Sequence, residues 1–465
     1  MLPDNALLEI FDLYRDEYPR PPLIWKWLLL VHVCRKWRQI VFASPRRLNL
    51  QIICRDGTPV RKNLGIWPAI PIVVRYGHYR RAITPDEEDN AIAALEHSDR
   101  VCRVVLHVTG SQLGKIATVM QEPFPVLTHF SISTKDINVP VIPGGFLGGS
   151  APCLQEIELC GVPFPALPTL LVSASDLVEL KLRKIPPTGY VPPMAMVARL
   201  AALPKLKSFR IEFQLTTPRP DRMHLLPVTR TVLPALTNFV FSGACEYLED
   251  LVARIDAPRL VWLGIHYLNQ VVDFEVPQLS RFIDRSENLK RSLSRCCEVT
   301  LDRGGVDFCI GGATSDETKR WDRGTGISVR IVCQGIDWQI SHITHALGWI
   351  STIVSDIVHF AIDSQPFKSE SEAMDDIEWL QLLRPFSSVQ TLFVYRQLAG
   401  HVSHALEDIA GVMIIEVLPA LTLLYLQDQP MSSVGKFIAA RRNSGHPVGI
   451  VDSKGEFEQR LWSYP

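Results

Sequence analysis

The chain has 465 residues, a formal net charge of −1, 47% hydrophobic residues and 21% charged residues. This length exceeds what one compact core normally holds, so it predicts several modules or a repeat array. The near-zero net charge argues against a globally basic nucleic-acid binder, and we expect no nucleic-acid partner.

The cysteines and the apolar runs limit the cellular compartments in which the chain is expected to act. The ten cysteines form no Cys-x-x-Cys pair, which argues against a zinc ribbon or a thioredoxin-like site and favours a reducing compartment. The first residues lack the pattern of a secretory signal. The longest apolar run, 23–34, is about 12 residues long, whereas a membrane span needs about 20. We therefore expect a cytoplasmic or nuclear protein without a membrane partner.

The first fifty residues show two helical patterns. Pro3 and Asp4 suit a first helical turn, and apolar residues follow at helical spacing as far as Tyr14. A charged, proline-bearing break follows, and a second helix is predicted over 23–42. Val33, Cys34, Trp37 and Val41 should share one face of this helix, with the basic residues of "RKWR" on the solvated face.

The segments "LPDNALLEIF" and "LVHVCRKWRQIVFASPRRLNL" resemble an F-box over residues 2 to about 50. The resemblance implies a helix cluster that docks on a Skp-type adaptor and, through it, on a cullin. It assigns the contact to nine residues: Leu2, Pro3, Leu7, Leu8, Ile10, Phe11, Val33, Cys34 and Trp37. The alternative interpretation is that these residues only form the small helical core that such a module also requires.

The remainder predicts an array of strand-helix repeats. A phrase of the form Leu-x-x-apolar-x-apolar recurs at intervals of about 23 to 32 residues, the range of leucine-rich repeats. Its first residues are Leu127, Leu154, Leu177, Leu206, Leu236, Leu260, Ile357, Val389 and Leu421. Each phrase predicts a short strand with alternate side chains inward, and apolar stretches between phrases predict helices. Stacked units of this kind form a solenoid.

The segment between Leu260 and Ile357 departs from this pattern. "CCEVTLDRGGVDFCIGG" and "GISVRIVC" predict strands around a flexible glycine-rich loop near 311–326. That loop lacks the Gly-Lys-Ser/Thr ending of a phosphate-binding loop. His342 and His345 lie three apart on a predicted helix but have no third ligand nearby, so we expect no metal site and no cofactor.

In a leucine-rich solenoid, the strand side chains between the buried ones line the concave face. These positions predict a charged floor formed by Glu156, Glu158, Glu179, Lys181 and Arg183. They also predict solvent-facing anchors for a protein target: Trp262, His266, Phe393, Tyr395 and Tyr425. The alternative is that loops or the C-terminal tail cover these aromatic residues.

The expected fold is therefore α/β, with a small helical F-box followed by an irregular leucine-rich-repeat solenoid. The predicted domains are an F-box (1–50), a connector packing on the solenoid (51–92), repeats (93–453) and a tail (454–465). This organisation, and phrases such as "ARRNSGHPV", resemble the large F-box family of basidiomycete fungi. The resemblance implies a non-catalytic substrate receptor of a ubiquitin ligase. Two alternatives stay open, a leucine-rich-repeat scaffold without ubiquitin transfer and an enzyme hidden in the irregular middle segment.

Overall fold

The structure is a computed structural model. It describes residues 3–16, 26–44, 48, 50–55, 57, 59–65, 69–77, 81–136, 138–214, 229–268, 276–312, 325–333, 336–364, 376–396, 398–409, 415–427, 429 and 431–451. The chain divides into two compact units, Met1–Val191 with Ala202–Leu206, and Pro192–Ala201 with Lys207–Pro465. Both units are mixed α/β with a mostly parallel sheet. Leu2, the centre of the loop near 311–326 and the predicted tail lie outside the described residues.

The first unit contains a run of parallel strands with helices between them. Its helices are Asp4–Asp16 (α1), Lys26–Val33 (α2), Arg35–Ala43 (α3), Val60–Leu64 (α4), Pro85–Leu95 (α5), Gly110–Val119 (α6) and Leu167–Leu171 (α7). Its strands are Ile52–Cys54 (β1), Ile72–Tyr76 (β2), Val101–His107 (β3), His129–Ser133 (β4), Glu156–Cys160 (β5) and Glu179–Ile185 (β6). They pair in chain order, every pair parallel. The segment predicted as a connector thus contributes two strands of its own.

The second unit has a longer sheet. Its helices are Pro193–Leu200 (α8), Cys245–Ala253 (α9), Pro277–Arg285 (α10), Glu287–Ser292 (α11), Ile336–Trp349 (α12), Ser351–Val354 (α13), Asp376–Leu383 (α14), Leu398–Asp408 (α15) and Gly435–Asn443 (α16). Its strands are Ser208–Phe213 (β7), Thr231–Val232 (β8), Asn238–Gly243 (β9), Ile255–Asp256 (β10), Trp262–Tyr267 (β11), Cys296–Asp302 (β12), Gly305–Gly312 (β13), Thr325–Val332 (β14), His359–Ser364 (β15), Thr391–Val394 (β16), Leu423–Leu426 (β17) and Gly449–Val451 (β18).

The strand order in the second unit reverses at the irregular segment. The sheet runs β7-β9-β11-β14-β13-β12-β15-β16-β17-β18, and β8 and β10 form a separate small pair. Strands β12, β13 and β14 form an antiparallel meander, whereas their outer neighbours pair with them in parallel. Gly305 makes the tight return into β13 possible, because its φ is 157° and a Cβ there would collide with the Ile331 carbonyl oxygen.

The repeat phrases explain why the strands form where they do. All nine first residues of the phrases are buried, and a strand starts two residues after each of them. The apolar side chains that follow point into the core, as the alternating burial of β4, β5, β7 and β15 shows.

Side-chain caps determine where two of the helices begin. Thr84 and Glu87 form a reciprocal capping box at α5, and Thr109 and Gln112 do so at α6.

The predicted single helix over 23–42 is wrong, because the described residues form two helices that meet at Cys34. Cys34 is extended, with φ −158° and ψ 170°, and its Sγ accepts a hydrogen bond from the Trp37 backbone N–H at 3.4 Å. Cys34 therefore caps α3 and is exposed instead of sharing the buried face with Val41.

Candidate functional site

The N-terminal helices place the predicted adaptor contacts in two groups. Leu7, Leu8 and Phe11 are buried, and the Phe11 ring packs edge-on against Trp37 with centroids 4.8 Å apart. These residues hold the helices together, so their side chains are not available as a docking ridge. Pro3, Val33 and Cys34 are exposed, Trp37 is half-buried, and the fractional exposure of Ile10 is 44%.

Two apolar side chains outside the predicted set join the exposed group. Leu13 on α1 is 73% exposed and Leu29 on α2 is 61% exposed. Ile10 and Leu13 share one side of α1, and Leu29 and Val33 share one side of α2, because residues three or four apart on a helix are neighbours. Leu13 and Leu29 could not be identified from the sequence, because helical spacing alone does not show which of two apolar stripes on a helix is buried.

The charged floor predicted in the first unit lies on one sheet face, as expected. Glu158 pairs in register with Lys181, and Cys160 with Arg183. Its members are half-buried and form ion pairs, of which Arg183–Glu158 is 3.3 Å long and Lys181–Glu179 is 2.8 Å long. Such partly exposed pairs contribute little to stability, so this floor is mainly a charged, hydrophilic surface.

One face of the sheet in the second unit carries a continuous line of polar side chains, which we call the polar row. Strand register aligns its members across seven strands, in the order Glu212, Ser242, His266, Arg330, Asp307, Thr300 and Asp363. A cavity of about 370 Å³ lies over most of this row. Only His266 in this row was predicted from the sequence. The other members lie in the segment where the repeat pattern fails, or on strands that have no Phe, Tyr or Trp at the predicted solvent-facing positions.

Arg330 is the centre of the polar row. Its guanidinium donates to both carboxylate oxygens of Asp302, at 2.8 and 3.1 Å, and also donates to Asp307. Burial would lower the pKa of Arg330, but the two carboxylates outweigh burial and raise it. Gln339 extends the network by donating to the Asp302 carbonyl oxygen at 2.7 Å. Arg330, Asp302 and Asp307 thus form a charged bridge that joins β14, β12 and β13 near the turn between β12 and β13.

His266 lies beside this bridge and is neutral at pH 7. Burial lowers its pKa to about 4, and the neighbouring Arg330 charge acts in the same direction, while Glu212 opposes them. His266 is therefore not a cationic anchor. Its imidazole acts as a neutral polar wall of the cavity.

The predicted aromatic anchors differ in accessibility. Phe393, Tyr395 and Tyr425 form one aromatic cluster, with ring centroids between 5.6 and 6.4 Å apart. Tyr395 and Tyr425 are partly exposed, but Phe393 is only 5% exposed because the two tyrosine rings pack against it. Trp262 is 1% exposed, so the expectation that it faces solvent is wrong. Its register partner on β14 is Gly326, which has no side chain to hold the indole away from the sheet.

A second cavity, of about 380 Å³, connects the aromatic cluster to the meander. Glu298, Ala361, Asp363, Phe393 and Tyr395 line it. Arg396 also lines it, with its backbone in the left-handed region at φ 54° and its Nε 3.5 Å from Asp363. Its backbone N–H donates to the Gln427 side-chain oxygen at 3.1 Å. A strained non-glycine residue held by such contacts often marks a binding site.

Metal binding, nucleophilic catalysis and membrane insertion each require a particular arrangement of residues. Among the described residues, no group of three or more His, Cys, Asp or Glu side chains is arranged to hold a metal ion. His342 is buried on α12, and burial lowers its pKa, as does the neighbouring His345. Burial raises the pKa of the Cys54 and Cys245 thiols to about 12, which makes them poor nucleophiles. Within the described part of the chain, no helix has the length and apolar character needed to cross a membrane.

No protein-family model matches the chain, and no curated protein matches its sequence. The residues and their arrangement therefore have to indicate the function.

Proposed function

We propose that the chain is the substrate-recognition subunit of a Skp-cullin-F-box ubiquitin ligase, acting in the cytoplasm or nucleus. In this proposal the N-terminal helices dock a Skp-type adaptor and thereby a cullin. The sheet face of the repeats binds a protein target. The chain supplies no chemistry of its own, but raises the concentration of the target near the ubiquitin-charged enzyme.

The observation that carries the proposal is a pair of exposed apolar side chains on each of the helices α1 and α2. Four large hydrophobic residues more than 40% exposed lie there, namely Ile10, Leu13, Leu29 and Val33. Neighbouring exposed apolar side chains on one side of a helix are typical of protein interaction sites. The F-box resemblance of the same segment supplies the kind of partner. The docking contacts are accordingly moved from the buried Leu7, Leu8 and Phe11 to these exposed residues.

Co-purification with a Skp-type adaptor tests this assignment. Leu13→Glu combined with Leu29→Glu should reduce capture of the adaptor at least about tenfold, because charges replace apolar contacts that dock. Both side chains are largely exposed, so the fold should be retained. Met194→Glu is the matched control, since Met194 is 66% exposed on α8, a helix of the second unit. Equal capture of the double variant and the control would contradict the proposal.

A scaffold without ubiquitin transfer is separated by a second experiment. Affinity capture with mass spectrometry, with and without residues 1–50, should identify proteins bound through the repeats in both cases and a cullin only with the N-terminal segment. A captured target should then accumulate when the chain is deleted from cells. Adaptor binding without any accumulation of the captured target would favour the scaffold.

A further inference from the structure

A third cavity, of about 280 Å³, lies within the first unit at the carboxyl ends of strands β3 to β6. Its lining includes one row of register partners, namely His107, Ser133, Cys160 and Arg183. Ser133 and Cys160 are small, so they leave room between the larger side chains of His107 and Arg183. Adjacent strands are about 4.8 Å apart, which separates the backbones of His107 and Arg183 by about 14 Å. The carboxyl ends of parallel strands are a common location for ligands in α/β proteins.

The lining of this cavity is rich in cationic side chains. Among its described residues, one carboxylate, Asp136, stands against four cations, which are Arg81, Lys135, Arg183 and Lys184. The Asp136 carboxylate accepts a hydrogen bond of 2.6 Å from the Gly110 backbone N–H at the start of α6. Its negative charge therefore lies where the dipole of that helix stabilises it.

The two arginines of the lining already have carboxylate partners. Arg81 is 2.8 Å from Glu87, and Arg183 is 3.3 Å from Glu158. Together with Asp136, these carboxylates balance three of the four positive charges when histidine is counted as neutral. Among the described residues, one positive charge is thus left for a ligand to neutralise.

The two lysines differ from the arginines in having no such partner. Lys135 and Lys184 are exposed, and neither forms an ion pair within the part of the chain that the structure describes. Arg183 and Lys184 follow each other on β6, where regular alternation would point them to opposite faces. The Lys184 backbone is left-handed, with φ 50°, and this break in the alternation lets both residues line one cavity. Backbone strain at a residue other than glycine is often found at binding sites.

A carboxylate fits this charge distribution better than other groups do. The single negative charge of a carboxylate matches the one positive charge that is left. A cation would be repelled by the two lysines, and a purely apolar group would remove water from charged side chains without replacing its hydrogen bonds. A phosphate group carries nearly two negative charges at pH 7, which is more than the cavity leaves unbalanced.

We propose that this cavity binds a carboxylate of the partner protein, supplied by an aspartate or glutamate side chain or by the C-terminus of its chain. The proposal rests on the proposed function in taking the sheet face of the repeats as the recognition surface. The carboxylate pairs with the ammonium groups of Lys135 and Lys184, while the stem that carries it lies over Ser133 and Cys160. A cavity of about 280 Å³ is smaller than most pockets for drug-sized ligands and suits a single side chain.

Selection from a randomised peptide display library on the full chain tests the proposal. Enriched peptides should carry aspartate or glutamate at one fixed position, or should require a free C-terminus. An enriched peptide is then synthesised with the acidic side chain changed to its amide, and separately with an amidated C-terminus, which distinguishes the two sources. Removing the carboxylate that binds should lower the affinity at least about tenfold, because it removes a charged hydrogen-bonding group. The affinity should also fall as the salt concentration rises.

Substitution of the lysines tests whether this cavity is the site. Lys135→Gln combined with Lys184→Gln should lower the affinity of the enriched peptide at least about tenfold, because it removes both charges from the pairing. Lys184→Arg keeps the charge and should retain most of the affinity. The matched control is Lys207→Gln, at an exposed lysine of the second unit that likewise has no ion pair with a described residue. All three positions are exposed, so the fold should be retained.

The outcomes separate this proposal from the proposed function. Failure to enrich any peptide, enrichment that needs no carboxylate, or tighter binding of a phosphorylated counterpart would overturn the assignment, even if the adaptor still co-purifies. An affinity that the double lysine variant leaves unchanged, or that Lys207→Gln lowers equally, would overturn it as well. A carboxylate whose binding depends on Lys135 and Lys184 supports the proposal, even if the adaptor does not co-purify.

Discussion

The low pKa of His266 predicts that the second unit loses stability between pH 7 and pH 5. The pKa of His266 is about 4 in the folded chain and about 6.5 when unfolded. Because the folded pKa is depressed, the stabilisation is present above pH 6.5 and is lost as the pH falls toward 4. At pH 5 the unfolded histidine is nearly fully protonated, whereas the folded one is mostly neutral. The linkage relation gives a loss of about 2 kcal/mol from pH 7 to pH 5.

Urea unfolding at the two pH values, with the free energy of unfolding extrapolated to water, measures this effect. His342 and His359 also have pKa values lowered by burial, so the unmodified chain alone does not isolate His266. His266→Gln does so, because glutamine stays neutral at both pH values while the other histidines are unchanged. The pH-dependent loss should be about 2 kcal/mol smaller in the variant. Identical losses in the two proteins would refute the assignment of a half-buried, neutral imidazole beside Arg330.

Two further predictions concern local interactions. Thr84→Ala removes the side-chain cap of α5 and should lower the free energy of unfolding, measured in urea titrations, by about 1 kcal/mol. The control is Thr118→Ala, on the exposed side of α6, which should change the free energy of unfolding by less than about half that amount. An equal effect of both would contradict the capping assignment. Arg330→Met leaves two partly buried carboxylates without their shared cation and should cost about 3 kcal/mol at pH 7. A cost below about 1 kcal/mol, measured by thermal or urea unfolding, would show that the bridge is dispensable.

The sequence predicted the strands because one physical pattern recurs in it. Leu127 and each later first residue of a phrase must be buried for the following strand to pack, and every one of them is. Alternation then places Glu158 and Lys181 on one face and Ile157 and Leu180 on the other. These features depend only on residues near in the chain, which is why they could be predicted without the structure.

What could not be predicted depends on contacts between distant segments. Neither strand by itself shows that β11 pairs with β14. The position of Arg330 beside His266 follows from this pairing, so it could not be predicted from the sequence. The burial of Trp262 depends on which residue lies next to it across that pairing.

The antiparallel meander has a consequence for how the second unit folds. Strands β12, β13 and β14 include a hairpin closed by a short turn, so this pairing joins residues close in sequence, and hairpins form in microseconds. The parallel pairs on both sides join residues separated by 24 to 64 positions and must first close longer loops. We expect the meander to form early and to serve as the template onto which β11 and β15 add from opposite edges. Substitutions that weaken it should then slow folding, whereas those in β17 and β18 should mainly speed unfolding.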